Sequence, residues 1–248
     1  MQRMETQYGR PGDPYDLRSI EASAKLRLAK PPLISLSDIL TAIVVATTLC
    51  QLTGLEASVE KVGLVKTEVH HGEVWRLLTC GLIHGSVLHI LLNAMSLRNC
   101  ARGVELMVGK WAMVFCFFVA VIGGSLFSLY FKPFTVSVGA SGGILGLVGL
   151  LCVLVLRHRR ILPPGFGGNM VFNLALVVAM GILIPQIDNF AHLGGFVAGV
   201  AVGVAVIPGD AQRLQYPEAG WIVWSGRISL GIIVLASAFS MFKMLTPY

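Results

Sequence analysis

A serine, three histidines and an asparagine, set in otherwise apolar stretches, carry the chemical interest of this chain. Ser141 sits in Val138-Gly139-Ala140-Ser141-Gly142-Gly143, within a segment free of charge from 133 to 156. Glycine neighbours open a hydroxyl to close approach, because no Cβ stands in the way. His84, His89 and Asn93 lie in a second apolar stretch, and His192 in a third that opens Asp188-Asn189-Phe190-Ala191-His192. A serine hydroxyl is a poor nucleophile until a base takes its proton, and histidine is the usual base. Attack on an amide creates an oxyanion, which needs donors aimed at it. His89, Asn93 and the Ser141 N–H could supply them, so the set suits a hydrolase. Each signal also has a plainer reading. A serine among small residues in a membrane helix usually bonds its own helix, and a histidine there can simply bridge two helices.

Other chemistries fit less well. No H-E-x-x-H occurs, since His71-Gly72-Glu73 lacks a second histidine, and no metal or cofactor is expected. Asp188 has no second intramembrane carboxylate for an aspartyl mechanism. It lies one turn before His192 and either caps that helix or orients the ring; the wetter helix start favours the cap.

The elements that hold these residues are read from composition. The chain has 248 residues, 55% of them hydrophobic and only 13% charged, against about 25% charged in a soluble domain. With a mean hydropathy of +0.75, this is an all-α polytopic membrane protein. The net charge of +6 then reports topology, not nucleic-acid binding. Cys50, Cys80, Cys100, Cys116 and Cys152 show no C-x-x-C spacing and read as small apolar residues.

Crossing the hydrocarbon takes roughly 20 apolar residues. Spans are expected at 39–55, 77–97, 111–131, 133–156, within 161–187, at 189–207 and from about 227 to 244. The expected organisation is a tail (1–33), a six-span core (34–208), a loop (209–226) and a seventh helix (227–248). Leu17, Ile20, Ala24 and Leu28 recur at helical spacing among basic residues, which fits either a surface-lying amphipathic helix or a solvated one. Neither a signal-peptide apolar region nor the acid-poor composition of a mitochondrial transit peptide is expected in this tail. With these spans, fourteen basic residues fall on one side of the membrane and five on the other. The richer side is cytosolic, which puts the N-terminus there. Trp75-Arg76 reads as an interfacial anchor, its ring in the headgroups and its cation in water.

In this topology the second, fourth and sixth spans all enter from outside. His84 and His89 (in the outer half of the second span), Ser141 (about eight residues in from Pro133) and His192 (about one turn in) then share one depth. Gly142 and Gly146, with Ala191, Gly195 and Gly199, form small-residue stripes that would let spans four and six approach closely.

At this point the chain resembles a known family, the rhomboid intramembrane serine proteases. The matching pieces are Trp75-Arg76, His84-x4-His89-x3-Asn93, Gly103-x-Glu105-x3-Gly109, Gly139-Ala140-Ser141-Gly142 and Ala191-His192-x-Gly194-Gly195-x3-Gly199, across about residues 70–205. The resemblance implies a rhomboid-like six-helix core plus one C-terminal transmembrane helix, the arrangement of secretory-pathway members. It disfavours the mitochondrial inner membrane. It implies Ser141 as nucleophile and His192 as base, without an acid, and an oxyanion hole lined by His89 and Asn93. It implies structural roles for Trp75, Arg76, Glu105, Gly195 and Gly199, and makes His84, Gly139, Gly142 and Leu145 candidates for supporting the site. Substrates would be single-pass transmembrane proteins in the lipid bilayer, with no nucleic acid involved. Many members carry an aromatic four residues after the serine, where this chain has Leu145. Two rivals stand beside this reading. One is a silent rhomboid-like protein that binds clients, which would be expected to lack the serine or the histidine. The other is a small transporter, which predicts broken helices in symmetric positions.

Overall fold

Ser35 starts the first long helix with a capping box. Its hydroxyl accepts the Asp38 N–H, and the Asp38 carboxylate accepts the Ser35 N–H. The helix, α1 (Leu36–Gln51), has a second, remote cap: Glu105 accepts the N–H groups of Leu36 and Ser37, each at 3.1 Å. A helix start leaves these donors without internal partners, and in a membrane water is scarce. The computed structural model describes residues 34–52, 54–159, 162, 165–168, 187–210 and 218–246. The expected tail helix, and all but the edges of the expected fifth span, lie outside these residues.

After α1 the chain builds a folded connection from α2 (Leu55–Val62), strand β1 (Leu64–Val65), α3 (Lys66–His70), α4 (Arg76–Thr79) and a 3₁₀ turn (Cys80–Leu82). Arg76 is its centre. The side chain is 5% exposed. It pairs with Glu73 at 2.6 Å and donates to the carbonyls of Glu60 and Gly63, both at 2.8 Å. The expected anchor with its cation in water is therefore corrected: the guanidinium ties the connection together from inside. Trp75 packs edge-on against Phe239 of a later helix, with ring centroids 5.6 Å apart.

The second expected span is also corrected. The apolar run does not form one helix from residue 77. It breaks after the 3₁₀ turn, bends by 95°, and restarts as α5 (Val87–Met107), capped by the Ser86 hydroxyl. Ser86 prefers the cap because its side chain competes for backbone groups. Arg98 and Arg102, expected in the following loop, lie within α5, where Arg98 pairs with Asp38 at 2.9 Å.

Gly109 makes the turn into α6 (Lys110–Phe131) at φ +149°, a conformation that disfavours any side chain. A Cβ there would also collide with Glu218, whose carboxylate accepts the N–H groups of Trp111 (3.0 Å) and Ala112 (2.7 Å). Strand β2 (Val136–Ser137) then pairs antiparallel with β1. Next come α7 (Ser141–His158), α8 (Asn189–Val206) and α9 (Gly220–Leu245). The last starts earlier than the expected residue 227. Arg227 does not end it, because its guanidinium lies over the rings of Trp111 and Trp224, at 5.4 and 5.3 Å.

Among the described residues, α6, α7, α8 and α9 are long and apolar enough to cross a membrane, and the bent 76–107 pair makes a fifth if counted as one span. The only strands there are the two-residue β1 and β2. The chain is thus an all-α polytopic membrane protein. Its core runs through Leu97, Phe117, Leu147, Leu150 and Leu154, all at most 1% exposed, while Leu88, Leu91 and Met95 of α5 face outward. An apolar exterior suits lipid as its solvent.

Candidate active site

Ser141 is the first residue of α7, not eight residues inside a helix, because 133–140 forms a turn, β2 and a glycine bend. Gly139 sits at φ +124° and donates its N–H to the Cys80 carbonyl at 2.9 Å. A Cβ at Gly139 would lie 2.8 Å from the His89 ring, so the position needs glycine for both torsion and space. His192, the fourth residue of α8, meets the serine: Nε2 and Ser141 Oγ are 2.8 Å apart. Both residues are half-buried.

The approach of α7 and α8 explains that distance. A Cβ on Gly195 would fall onto the Gly142 carbonyl, and one on Gly199 onto the Gly146 carbonyl. Where two helices touch backbone to backbone, only small residues fit. The expected stripes are therefore the contact itself.

His84 is moved from its expected place. It is not on the α5 helix but in the break before it, fully buried. Its Nε2 accepts the Ala140 N–H at 3.3 Å, which leaves Nδ1 to donate to the Thr48 hydroxyl at 3.0 Å. Gln51 clamps its backbone on both sides, donating to its carbonyl at 2.8 Å and accepting its N–H at 2.9 Å. His84 thus ties α1 to the residue immediately before Ser141. Thr48 and Gln51 were not singled out from the sequence; a polar pair near the end of an apolar helix was the available signal.

His89 and Asn93 share one face of α5. The His89 ring lies against Gly139 and packs edge-on to His84, with centroids 4.9 Å apart. One Asn93 amide N–H donates to the His89 carbonyl at 3.0 Å, and the group has a second to give. Leu145, one turn past Ser141, is 5% exposed.

Asp188 is the N-cap of α8. Its Oδ1 accepts the N–H groups of Phe190 (3.2 Å) and Ala191 (3.1 Å), and its carbonyl accepts that of His192 at 3.1 Å. Its Oδ2 accepts the hydroxyls of Ser128 and, at 2.6 Å, Ser137. Asp188 precedes the membrane helix. Burial works against its charge, but the hydroxyls of Ser128 and Ser137, the Ala191 N–H and the Lys66 cation outweigh it and hold the carboxyl below its usual range. Among the described residues, no cluster of three metal-ligating side chains occurs.

Residues 71–209 match the family model described as Rhomboid domain. RHOMBOID-like protein 1 of Arabidopsis thaliana is 39% identical over 150 residues, covering 59% of this chain and 38% of the relative. RHOMBOID-like protein 2 of the same plant is 32% identical over 169 residues, 66% and 51% of the two chains. Rhomboid protease GluP of Bacillus subtilis (strain 168) is 30% identical over 170 residues, 68% and 31%. The match thus spans about half or less of each relative's length.

Proposed function

The chain belongs to the rhomboid family, and from that premise we propose that it is an intramembrane serine endopeptidase. It hydrolyses peptide bonds in or near the transmembrane segments of membrane proteins. Ser141 is the nucleophile and His192 the general base. The observation that carries this reading is the 2.8 Å contact between His192 Nε2 and Ser141 Oγ.

In the first step the Ser141 oxygen bonds to the peptide carbonyl carbon while its proton passes to His192 Nε2. The negative charge that forms on the carbonyl oxygen is met by the Ser141 N–H, His89 and the second Asn93 amide hydrogen. His192 then returns the proton to the leaving amine as the C–N bond breaks. Water, deprotonated by the same ring, releases the acyl group and restores the serine.

The substrates are single-pass membrane proteins. The N-terminus is cytosolic, and the Ser141 end of the bundle faces the other side. The helix Gly220–Leu245 follows the matched domain, which supports the six-plus-one organisation and a secretory-pathway or plasma-membrane location.

The test is cleavage of a helix-destabilised transmembrane substrate by the detergent-solubilised protein. Wild type cleaves, and Ser141→Ala and His192→Ala, both folded, do not. Equal cleavage by all three would reject the dyad. An inactive wild type that also resists fluorophosphonate labelling would mean a silent client-binding protein.

A further inference from the structure

Lys66 heads the large side chains that are fully buried, at 2% exposure, although it is a lysine in a connecting segment. A sealed ammonium is costly unless its hydrogens are taken up and a countercharge is near. Here Nζ donates to Ser137 Oγ at 2.8 Å and to Thr135 Oγ1 at 3.0 Å. Among the described residues no carboxylate pairs with it directly. The countercharge is reached through Ser137, whose hydroxyl donates onward to Asp188 at 2.6 Å. Asp188 caps the start of α8, and its carbonyl holds the His192 N–H.

The placement of Lys66 in the chain matters as much as its bonds. It directly follows β1, and Ser137 ends β2, the strand paired with it. The three residues after Ser137 are the loop that presents Ser141. One ammonium therefore sits where the folded connection, the strand leading to the serine and the cap of the histidine helix meet.

We propose that Lys66 is a positioning residue for the dyad. It holds the Ser137 hydroxyl toward Asp188, and so fixes the first turn of α8, with His192, against the segment that carries Ser141. This rests on the dyad reading above. Without the cation, Ser137 is free to turn to another acceptor, and the Asp188 carboxylate loses its only through-bond countercharge in the network. Both changes loosen the His192 turn.

The experiment uses the full chain in detergent, with Lys66→Met, Ser137→Ala, Asp188→Asn and the double variant Lys66→Met/Asp188→Asn. Two readouts are taken on each: the rate of fluorophosphonate labelling at Ser141, and amide exchange across 189–195. Lys66→Met is expected to slow labelling about tenfold or more, as a small misplacement of a catalytic group does. Ser137→Ala is expected to slow it several-fold, and both to raise exchange at Phe190 and Ala191. Because the effect acts through Asp188, the double variant is expected to label no more slowly than Asp188→Asn alone.

Wild-type labelling and exchange in folded Lys66→Met and Ser137→Ala would overturn the proposal, as would slowdowns that multiply in the double variant. Should Lys66→Met fail to fold, Lys66→Gln, alone and with Asp188→Asn, takes its place and is judged by the same criterion. Failure of the wild type itself to label would reject the dyad reading, while the exchange data would still decide whether Lys66 controls the start of α8.

Discussion

The Gly195 Cα lies against the Gly142 carbonyl with no room for a methyl group between them. This contact joins the residue next to Ser141 to the residue about one turn past His192. It sets how far apart their helices can stand, and hence the 2.8 Å between the two side chains. Gly195→Ala is expected to force α8 away from α7. Overpacking of this kind costs about 1–3 kcal/mol, read as a lower melting temperature. Fluorophosphonate labelling of Ser141 is expected to fall by about 10²-fold, since shifts of an ångström cost that much. A variant that melts lower yet labels normally would show that the helices re-seat around the methyl.

His84 offers a different lever on the serine. His84→Ala strips the side-chain partner from the buried Ala140 N–H and removes the ring that ties it to Thr48, whose hydroxyl keeps the Val44 and Leu82 carbonyls. A buried N–H left unsatisfied costs about 1–3 kcal/mol. We expect a marked drop in thermal stability together with slower labelling. Thr48→Val, which leaves the Ala140 bond in place, is expected to lower stability with a smaller effect on labelling.

The turn at Gly109 is far from the serine and is expected to govern stability alone. Gly109→Ala imposes a side chain at φ +149° and drives it into Glu218. Strained backbone of this type costs of order 1–3 kcal/mol. Glu218→Gln keeps an acceptor for the Trp111 and Ala112 N–H groups, so it is expected to melt closer to wild type than Glu218→Ala does. Thermal unfolding of the three variants checks the ranking.

Acid sensitivity follows from Asp188. Its carboxyl is held below the ordinary aspartate value of 3.8 in the folded protein. A group depressed on folding contributes stability that is complete above its unfolded pKa and is lost as pH falls through the folded one. Melting temperatures are therefore expected to decline as pH drops below about 3.8, and Asp188→Asn is expected to flatten that part of the decline. An unchanged acid limb in the variant would remove Asp188 from the account.

Uninterrupted apolar runs made α6 and α8 readable almost to the residue, because hydropathy reports them directly. The run at 77–97 misled for the same reason. Its apolar residues continue through Gly85 and Ser86, where the backbone turns by 95°, and only the cap preference of Ser86 marks the restart. Ser141, His192, His89 and Asn93 stood out as polar groups in apolar surroundings. Lys66, Thr48 and Gln51 did not. A lysine in a polar connection reads as solvated, and burial is decided by what folds over it. Arg76 shows the same limit: its identity was visible in the sequence, its interior position was not.

His89, Ser141 and His192 each fall within the first turn of their helix, α5, α7 and α8. Every such end carries roughly half a positive charge from the aligned peptide dipoles. The α8 end is offset by the Asp188 carboxylate and the α5 end by a neutral Ser86 hydroxyl, whereas α7 has no side-chain cap at all. The main chain thus contributes a standing electric field at the site, and the end at Ser141 is the one that no side-chain cap offsets, in a setting where mobile ions screen little. That field belongs to no single side chain. Point substitutions around the pocket would change donors and contacts but leave most of this background potential intact.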